Sequence, residues 1–207
     1  MNTYPVHYSV DKPAQFDRLQ LVIRILALVV LGILGLSLGL LFWVAYLALP
    51  VIAAVRLSNG RDPVDYLERD GPRILRALRW FAAIYAWFGL VSDKLPHRSP
   101  DETVRVEIER SGQPTPASAL VRLFFGLPSM LVLGLLGLIG WLVWIWSALM
   151  VLVEKRVGDG AHAFLAGLQR WTIRLLAYQA ALVEDYPPFS FQDSPPPQLP
   201  AGPVAPT

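Results

Sequence analysis

Two long runs without a charged residue dominate the chain. The first lies between Arg24 and Arg56 and the second between Arg122 and Glu154, and each contains 31 residues. Each run exceeds the ~18 apolar residues that indicate a transmembrane helix. As a helix, such a run is about 46 Å long, which exceeds the ~30 Å hydrocarbon core but is too short for two spans. We therefore predict one long tilted membrane helix in each run.

Prolines predict where these helices bend. Pro128 lies near the start of the second run and predicts a break between residues 119–127 and residues 129–153. Pro50 predicts a kink near the end of the first run.

A weaker apolar stretch follows each run, at residues 74–91 and 164–183. The first carries Arg76 and Arg79, and the second carries Arg170, Arg174 and Gln179. We expect both stretches to span the membrane, with long arginine side chains reaching its surface. An alternative stays open, in which they lie flat or the strong runs are re-entrant. With four spans, eight basic residues would lie on one side of the membrane and ten on the other. This balance does not predict which side faces the cytoplasm.

The sequence also repeats itself. At a separation of 98 positions, the matches include Arg24 with Arg122, Gly39 with Gly137 and Trp43 with Trp141. After a loss of seven residues the separation becomes 91, which aligns Arg79-Trp80 with Arg170-Trp171, Trp87 with Tyr178, and Asp93 with Glu184. A duplicated unit of about 90 residues predicts two membrane repeats, at residues 4–97 and 98–191, related by pseudo-two-fold symmetry.

Short extended segments open the two repeats. Residues 6–10 and 104–108 alternate as strands do, and we expect them to pair with each other or with Phe189-Ser190-Phe191. Residues 192–207 are rich in proline and are predicted to form a disordered tail. The predicted fold class is an all-α membrane protein with two tandem repeats. Each repeat has a long transmembrane helix, a shorter amphipathic or marginal membrane helix, and a short extended segment at its start.

Composition narrows the function classes. The 54% hydrophobic content, 16% charged content and mean hydropathy of +0.44 do not suit a soluble protein. A net charge of +2 does not suggest nucleic acid as a partner. There is no Cys, and His7, His97 and His162 show no metal-ligand spacing. We therefore predict no metal, no cofactor and no catalytic residue.

Repeated charges and aromatic residues supply the candidate sites. We predict ion pairs between Arg24 and Asp93 and between Arg122 and Glu184, because charges near lipid are costly unless paired. The anchors to lipid headgroups are predicted at Arg79, Trp80, Arg170 and Trp171. Close helix packing is predicted at Gly35, Gly39, Trp43, Gly137 and Trp141.

Several motifs together resemble a known family. They are Tyr4-Pro5-Val6-His7, Arg24, Gly60-Arg61, Arg79-Trp80, Arg122, Leu127-Pro128, Gly158, Arg170-Trp171, Ala177-Tyr178 and Asp185-Tyr186-Pro187-Pro188-Phe189. Over residues 4–191 the chain resembles two copies of the bacterial domain of unknown function DUF4389. The first copy departs at its end, where Asp93-Lys94-Leu95-Pro96 replaces the Tyr-Pro-Pro-Phe motif. The resemblance implies a bacterial integral membrane protein and attaches no activity to it.

The leading functional hypothesis is a non-enzymatic scaffold or accessory subunit of a membrane complex. We expect it in the bacterial cytoplasmic (inner) membrane, crossing it more than once. Its expected partners are membrane lipids and either another membrane protein or a second copy of itself. The alternatives are a small transporter and a protein that binds or organises lipids.

Overall fold

The computed structural model describes residues 4–192, which are mostly helical and contain a small sheet. Residues 193–207, which hold nearly all of the predicted disordered tail, lie outside the described residues. The regular elements, in chain order, are β1 (Val6–Ser9), α1 (Arg18–Ile33), α2 (Leu38–Ser58), α3 (Pro63–Asp65), α4 (Gly71–Phe88), β2 (Arg105–Ile108), α5 (Pro116–Phe125), α6 (Leu127–Glu154) and α7 (Asp159–Gln179). A π-helical turn (Tyr66–Asp70) precedes α4, and a 3-10 turn (Pro100–Glu102) precedes β2.

The first uncharged run forms two helices, α1 and α2, where we predicted one. The break occurs at residues 34–37, where Gly35 has a φ of +70°. Glycine adopts this left-handed conformation without steric cost. Ser37 then caps α2, since its hydroxyl accepts a hydrogen bond from the backbone N–H of Leu40. Gly35 thus lies where α1 ends and Ser37 lies where α2 begins, although both residues are inside an apolar run.

The second uncharged run is interrupted at Gly126, two residues before the proline at which we predicted the break. α5 ends at Phe125 and α6 begins at Leu127, so Gly126 separates them and Pro128 lies in the first turn of α6. A proline there removes only a donor that has no partner inside the helix. Residues 132–135, which correspond to the break in the first run, lack a capping side chain and remain helical.

Two segments are long and apolar enough to cross a membrane, Leu38–Ser58 and Pro116–Glu154. Only 28% and 22% of the residues in their most apolar parts are buried inside the protein, unlike the core helix of a soluble protein. Most exposed large apolar side chains of the described residues lie on α1, α2, α5 and α6, or in the turn between α1 and α2; the others are Val64, Leu95 and Phe189.

Helix α7 lies in the centre of the molecule. All residues from Ile173 to Gln179 are buried, and the helix packs against α4, α6 and β1. Neither α4 nor α7 is among the helices long and apolar enough to cross a membrane. The second weak stretch of the sequence is therefore covered by protein along most of its length.

The two strands pair with each other, the first of the two alternatives that the sequence left open. They are antiparallel, with Val6 opposite Ile108 and Ser9 opposite Arg105. Tyr8 lies opposite Val106, and these two residues are 98 positions apart, the separation at which the sequence motifs recur. The two recurring segments therefore meet at equivalent residues.

Candidate functional site

Arg24 and Asp93 join the start of α1 to the chain that follows α4. Nη2 of Arg24 lies 2.8 Å from Oδ1 of Asp93 and donates a 3.0 Å hydrogen bond to the carbonyl oxygen of Ser92. The arginine side chain is fully buried, and its guanidinium lies 5.1 Å from the centre of the Trp87 ring. Burial raises the pKa of Asp93, while the backbone N–H of Asp17 and the charge of Arg24 act in the opposite direction.

Arg122 is held differently from the way the sequence predicted. Its Nη1 donates hydrogen bonds of 2.7 and 2.6 Å to the carbonyl oxygens of Tyr178 and Val183. Glu184 is exposed, and within residues 4–192 it forms no ion pair with Arg122. The predicted Arg122–Glu184 ion pair is therefore not formed among the described residues, where Nη1 of Arg122 bonds to two backbone carbonyl oxygens.

The surroundings of the two arginines nevertheless correspond. Ser92 and Val183 are 91 positions apart, and the carbonyl oxygen of each accepts a hydrogen bond from an arginine. The Tyr178 ring lies 4.5 Å from the Arg122 guanidinium, at the position that Trp87 has beside Arg24. Arg24 thus holds the turn after α4 against α1, and Arg122 holds the turn after α7 against α5. These helices lie in residues 4–97 and 98–191, which we call the first and second halves of the chain.

Arg79 and Arg170 attach helices to the sheet. Nε of Arg79 donates a 2.9 Å hydrogen bond to the carbonyl oxygen of Val106. Nε of Arg170 donates a 3.2 Å bond to the carbonyl oxygen of Tyr8, and its Nη1 bonds to that of Phe191. These arginines therefore satisfy backbone carbonyl groups within the protein.

The tryptophans next to these arginines differ in their exposure. Trp171 is 3% exposed and packs edge-on against Phe189 and Phe191, with ring centres 5.2 and 6.0 Å away. Trp80 is only half-buried. The Arg-Trp motif is thus a helix-to-sheet contact in both halves, and in the second half its tryptophan belongs to the core.

The glycines and tryptophans predicted to pack helices do not make close contacts. Gly35 lies in the turn between α1 and α2, and a methyl group built on Gly35 or Gly137 would meet nothing within 4 Å. The nearest atom to one built on Gly39 is the nearby Ser37 hydroxyl, at 3.7 Å. Trp43 and Trp141 are 44% and 66% exposed. The spacing of these glycines and tryptophans in the sequence does not reveal whether they face outward or line a cavity.

Other glycines make the close contacts. A methyl group on Gly140 would lie 2.9 Å from Cδ1 of Leu168, so Gly140 leaves room for the Leu168 side chain between α6 and α7. One on Gly167 would lie 2.7 Å from Cβ of Phe191, and one on Gly126 would lie 2.7 Å from the Tyr46 hydroxyl. These three contacts could not be predicted from the sequence, because the partner of each glycine is distant in the chain and no local motif marks it.

A cavity of about 670 Å³ lies beside α6. Its walls come from α1, the start of α2, the end of α4, and the middle of α6 and α7. Leu165 and Leu168 of α7 are nearly buried and line it together with Trp141 and Trp144 of α6. The lining is mainly apolar.

His162 connects the start of α7 to the turn after α4. Its Nε2 lies 2.9 Å from the carbonyl oxygen of Val91, so this nitrogen carries the proton. Burial lowers the pKa of His162. Nearby, Lys12 pairs with Asp159 at 2.5 Å and holds the pKa of that carboxyl below its usual value. Residues 4–192 contain no group of three or more His, Asp or Glu that could hold a metal ion.

Comparison with known proteins gives one match. Residues 116–190 match the family model of the domain of unknown function DUF4389, as one copy. The matched segment begins with α5, contains α6 and α7, and ends in the aromatic segment that packs on α7. Neither the search of curated proteins nor the search of solved structures found a match.

Proposed function

We propose that this protein is embedded in the bacterial cytoplasmic membrane as a multi-pass, non-enzymatic scaffold or accessory subunit of a membrane complex. The observation that carries the proposal is the distribution of exposed apolar side chains. They cover α1, α2, α5 and α6, and charged residues gather around the sheet and the helix ends. A soluble protein rarely exposes an apolar surface of this extent, whereas the hydrocarbon of a bilayer solvates it.

The turn between α1 and α2 supports a position inside the bilayer. Arg24 bonds to Asp93, just after α4, and the carbonyl oxygen of Leu38 accepts a hydrogen bond from Tyr85 near the end of the same helix. The chain between them therefore leaves the end of α4 and returns to it. Its tip contains no charge, and Ile33 and Leu34 are 80% and 66% exposed. This arrangement favours a re-entrant tip.

Two features support the proposed pair of tandem units. The sheet pairs Tyr8 with Val106, which are equivalent positions of the two units. Equivalent hydrogen bonds also run from Arg79 to Val106 and from Arg170 to Tyr8. Two-fold symmetry requires such reciprocal contacts, in which each unit gives the other what it receives.

The use of the buried arginines supports a structural role over a catalytic one. Arg24 and Arg122 form hydrogen bonds to groups of their own chain that close turns. Catalytic groups, in contrast, converge on a space that a substrate can enter. The cavity beside α6 is lined by no charged residue.

Native isolation tests the proposal. The full chain is extracted from its own membranes into nanodiscs, and the mass of the particle is measured. A stoichiometric second protein, or a defined oligomer of this chain, is the expected result. A monomer that drives solute flux when reconstituted alone would replace the scaffold with the transporter alternative.

Cysteine labelling tests the topology, because the chain has no native Cys. We expect Leu34→Cys to resist a membrane-impermeant maleimide from both sides of sealed vesicles. Asn59→Cys, at the exposed end of α2, should react from one side. Labelling of Leu34→Cys from the opposite side would show that the tip crosses the membrane, and equal labelling of both from one side would contradict embedding.

A further inference from the structure

The cavity beside α6 exists because small residues line it. Gly32, Gly39, Gly89, Gly137 and Gly140 all contribute to its walls. A methyl group on Gly32 or Gly137 would meet no other atom within 4 Å, so both positions border open space. The volume of about 670 Å³ lies within the ~300–1,000 Å³ that is typical of ligand pockets.

Three polar side chains of the lining, those of Trp144, Thr172 and Gln169, are already bonded within the protein. Nε1 of Trp144 donates a 2.8 Å hydrogen bond to the carbonyl oxygen of Phe88, and Oγ1 of Thr172 donates one of 2.9 Å to that of Leu168. Gln169 uses both ends of its amide, because Oε1 accepts from Tyr8 and Nε2 donates to the carbonyl oxygen of Tyr85.

These bonds leave few free hydrogen-bonding groups for a polar ligand, and burying a polar group of the ligand without a partner is costly. The lining therefore favours an occupant without hydrogen-bonding atoms. A hydrocarbon chain meets this requirement.

The opening of the cavity faces the apolar surface of the protein. Val29 and Trp141 belong to its walls and are 54% and 66% exposed. They lie on the α1 and α6 surfaces that we place in the hydrocarbon layer. Leu165 and Leu168 form the inner wall and are 6% and 9% exposed. A chain that enters from the bilayer would pass the exposed residues and end against the two leucines.

The second half of the molecule fills the corresponding space. Gly126 lies 98 positions after Leu28, and there the helix packs so closely that a methyl group would lie 2.7 Å from the Tyr46 hydroxyl. In the first half Leu28 lines the cavity, and the residue equivalent to Tyr46 is Trp144, on the opposite wall. The same junction is therefore closed in one half and open in the other.

We infer that this cavity binds one acyl chain of a bilayer lipid. The inference rests on the proposed embedding of α1 and α6 in a membrane and deepens it by assigning a lipid site to one half of the protein. The acyl chain fills the space between α1 and α7 and supplies the packing that Gly126 and Tyr46 supply in the other half. No headgroup specificity is needed for this binding.

Photocrosslinking tests the inference. The full chain is reconstituted in phosphatidylcholine vesicles that contain a phosphatidylcholine with a diazirine at the end of one acyl chain. After irradiation, the modified residues are mapped by mass spectrometry. We expect adducts on the buried wall residues Leu165 and Leu168, together with adducts on exposed residues of α1 and α6.

Two glycine variants of α6 provide the matched comparison. Gly137→Leu fills the cavity, whereas Gly134→Leu adds the same side chain where there is open space outside it. Both replace a helical glycine by a better helix former. We expect Gly137→Leu to reduce the adducts on Leu165 and Leu168 about tenfold, because added carbon atoms exclude the chain. Gly134→Leu should leave them unchanged.

The outcomes separate this inference from the proposed function. Adducts on exposed residues of α1 and α6 with none on Leu165 and Leu168 would overturn the acyl-chain site and leave membrane embedding intact. Equal adducts on the two leucines in Gly137→Leu and the unaltered protein would also overturn it. Adducts nowhere on α1, α2, α5 or α6 would contradict the embedding itself.

Discussion

Asp93 accepts a 2.8 Å hydrogen bond from Arg24, whose side chain is fully buried. Nε and Nη1 of the same arginine have no hydrogen-bond partner within residues 4–192. The carboxylate of Asp93 is therefore the main group that offsets the cost of burying the guanidinium charge. At the corresponding position of the second half, Glu184 is exposed and leaves Arg122 to backbone carbonyl groups. Asp93 and Glu184 thus occupy corresponding positions in the two halves, but only Asp93 pairs with a buried arginine.

Replacing Asp93 with Asn should destabilise the protein. The change leaves a buried guanidinium without its counter-charge, a loss of about 3 kcal/mol in the free energy of unfolding. Thermal unfolding in nanodiscs, followed by loss of monodisperse protein on a sizing column, measures the effect. Glu184→Gln is the control and should change the free energy by less than about 0.5 kcal/mol. Equal effects of the two variants would show that the Arg24–Asp93 contact contributes nothing specific.

Gly167→Ala should loosen the aromatic segment that follows α7. The added methyl group would lie 2.7 Å from Cβ of Phe191, which is attached to the backbone and cannot rotate away. Overpacking of this kind costs about 1–3 kcal/mol. Gly160→Ala, on the same helix with open space around it, should be neutral or slightly stabilising. Thermal unfolding compares the two, and limited proteolysis at Phe189 and Phe191 should be faster only in Gly167→Ala.

Stability should fall as the pH decreases below about 6.5, through His162. Burial lowers the pKa of this histidine in the folded protein, with Lys12 and Asp159 as its charged neighbours. The unfolded chain therefore binds a proton at a higher pH than the folded chain does, and the free energy of unfolding declines in the window below the unfolded pKa of about 6.5.

The measurement is the melting temperature at about pH 8 and about pH 5.5. His162→Gln keeps a donor for the carbonyl oxygen of Val91 but does not titrate, so it should lose much of this dependence. His97→Gln, at an exposed position, is the control and should keep it. An unchanged pH dependence in His162→Gln would exclude this histidine as its source.

Arg170→Met should destabilise the protein more than Arg79→Met does. Arg170 bonds to the carbonyl oxygens of two residues, Tyr8 and Phe191, while Arg79 bonds to that of Val106 and lies near Asp101. We expect losses of about 3 and about 1.5 kcal/mol, in line with hydrogen bonds to charged donors. The losses should be the same in zwitterionic and anionic vesicles. A loss that appears only with anionic lipid would restore the headgroup-anchor interpretation.

The large features of the fold could be predicted from the sequence because they depend on local composition. The uncharged runs mark the two apolar segments, Pro128 marks the break between α5 and α6, and alternation marks the two strands. The break before α2 was missed, although Gly35 followed by Ser37 inside an apolar run combines a helix-ending and a helix-capping residue. The length of the uncharged run indicates one helix, whereas this pair of residues indicates two.

The direction in which side chains point could not be predicted. An arginine beside a tryptophan has the same chemistry at a headgroup as it has against a strand, and only the position of the sheet places Arg79 and Arg170 inside. Likewise, whether a glycine brings helices together depends on what lies opposite. Gly140 faces Leu168, and Gly137, less than one turn away, faces open space. Both contacts depend on segments that are distant in the chain, and the periodicity of a helix does not predict which segments will meet.

The pairing of β1 with β2 has a consequence for how such a chain could have arisen. Neither proposed unit has a second strand of its own, so a unit expressed alone would present an unpaired strand edge. Another copy of the same unit would satisfy that edge in the register seen here, because the register is centred on equivalent residues. On the proposed duplication, the polypeptide corresponds to two fused subunits, each of which supplies the strand that completes the other's sheet. Once fused, one subunit could keep an open junction while the other closed it, which separate identical subunits cannot do.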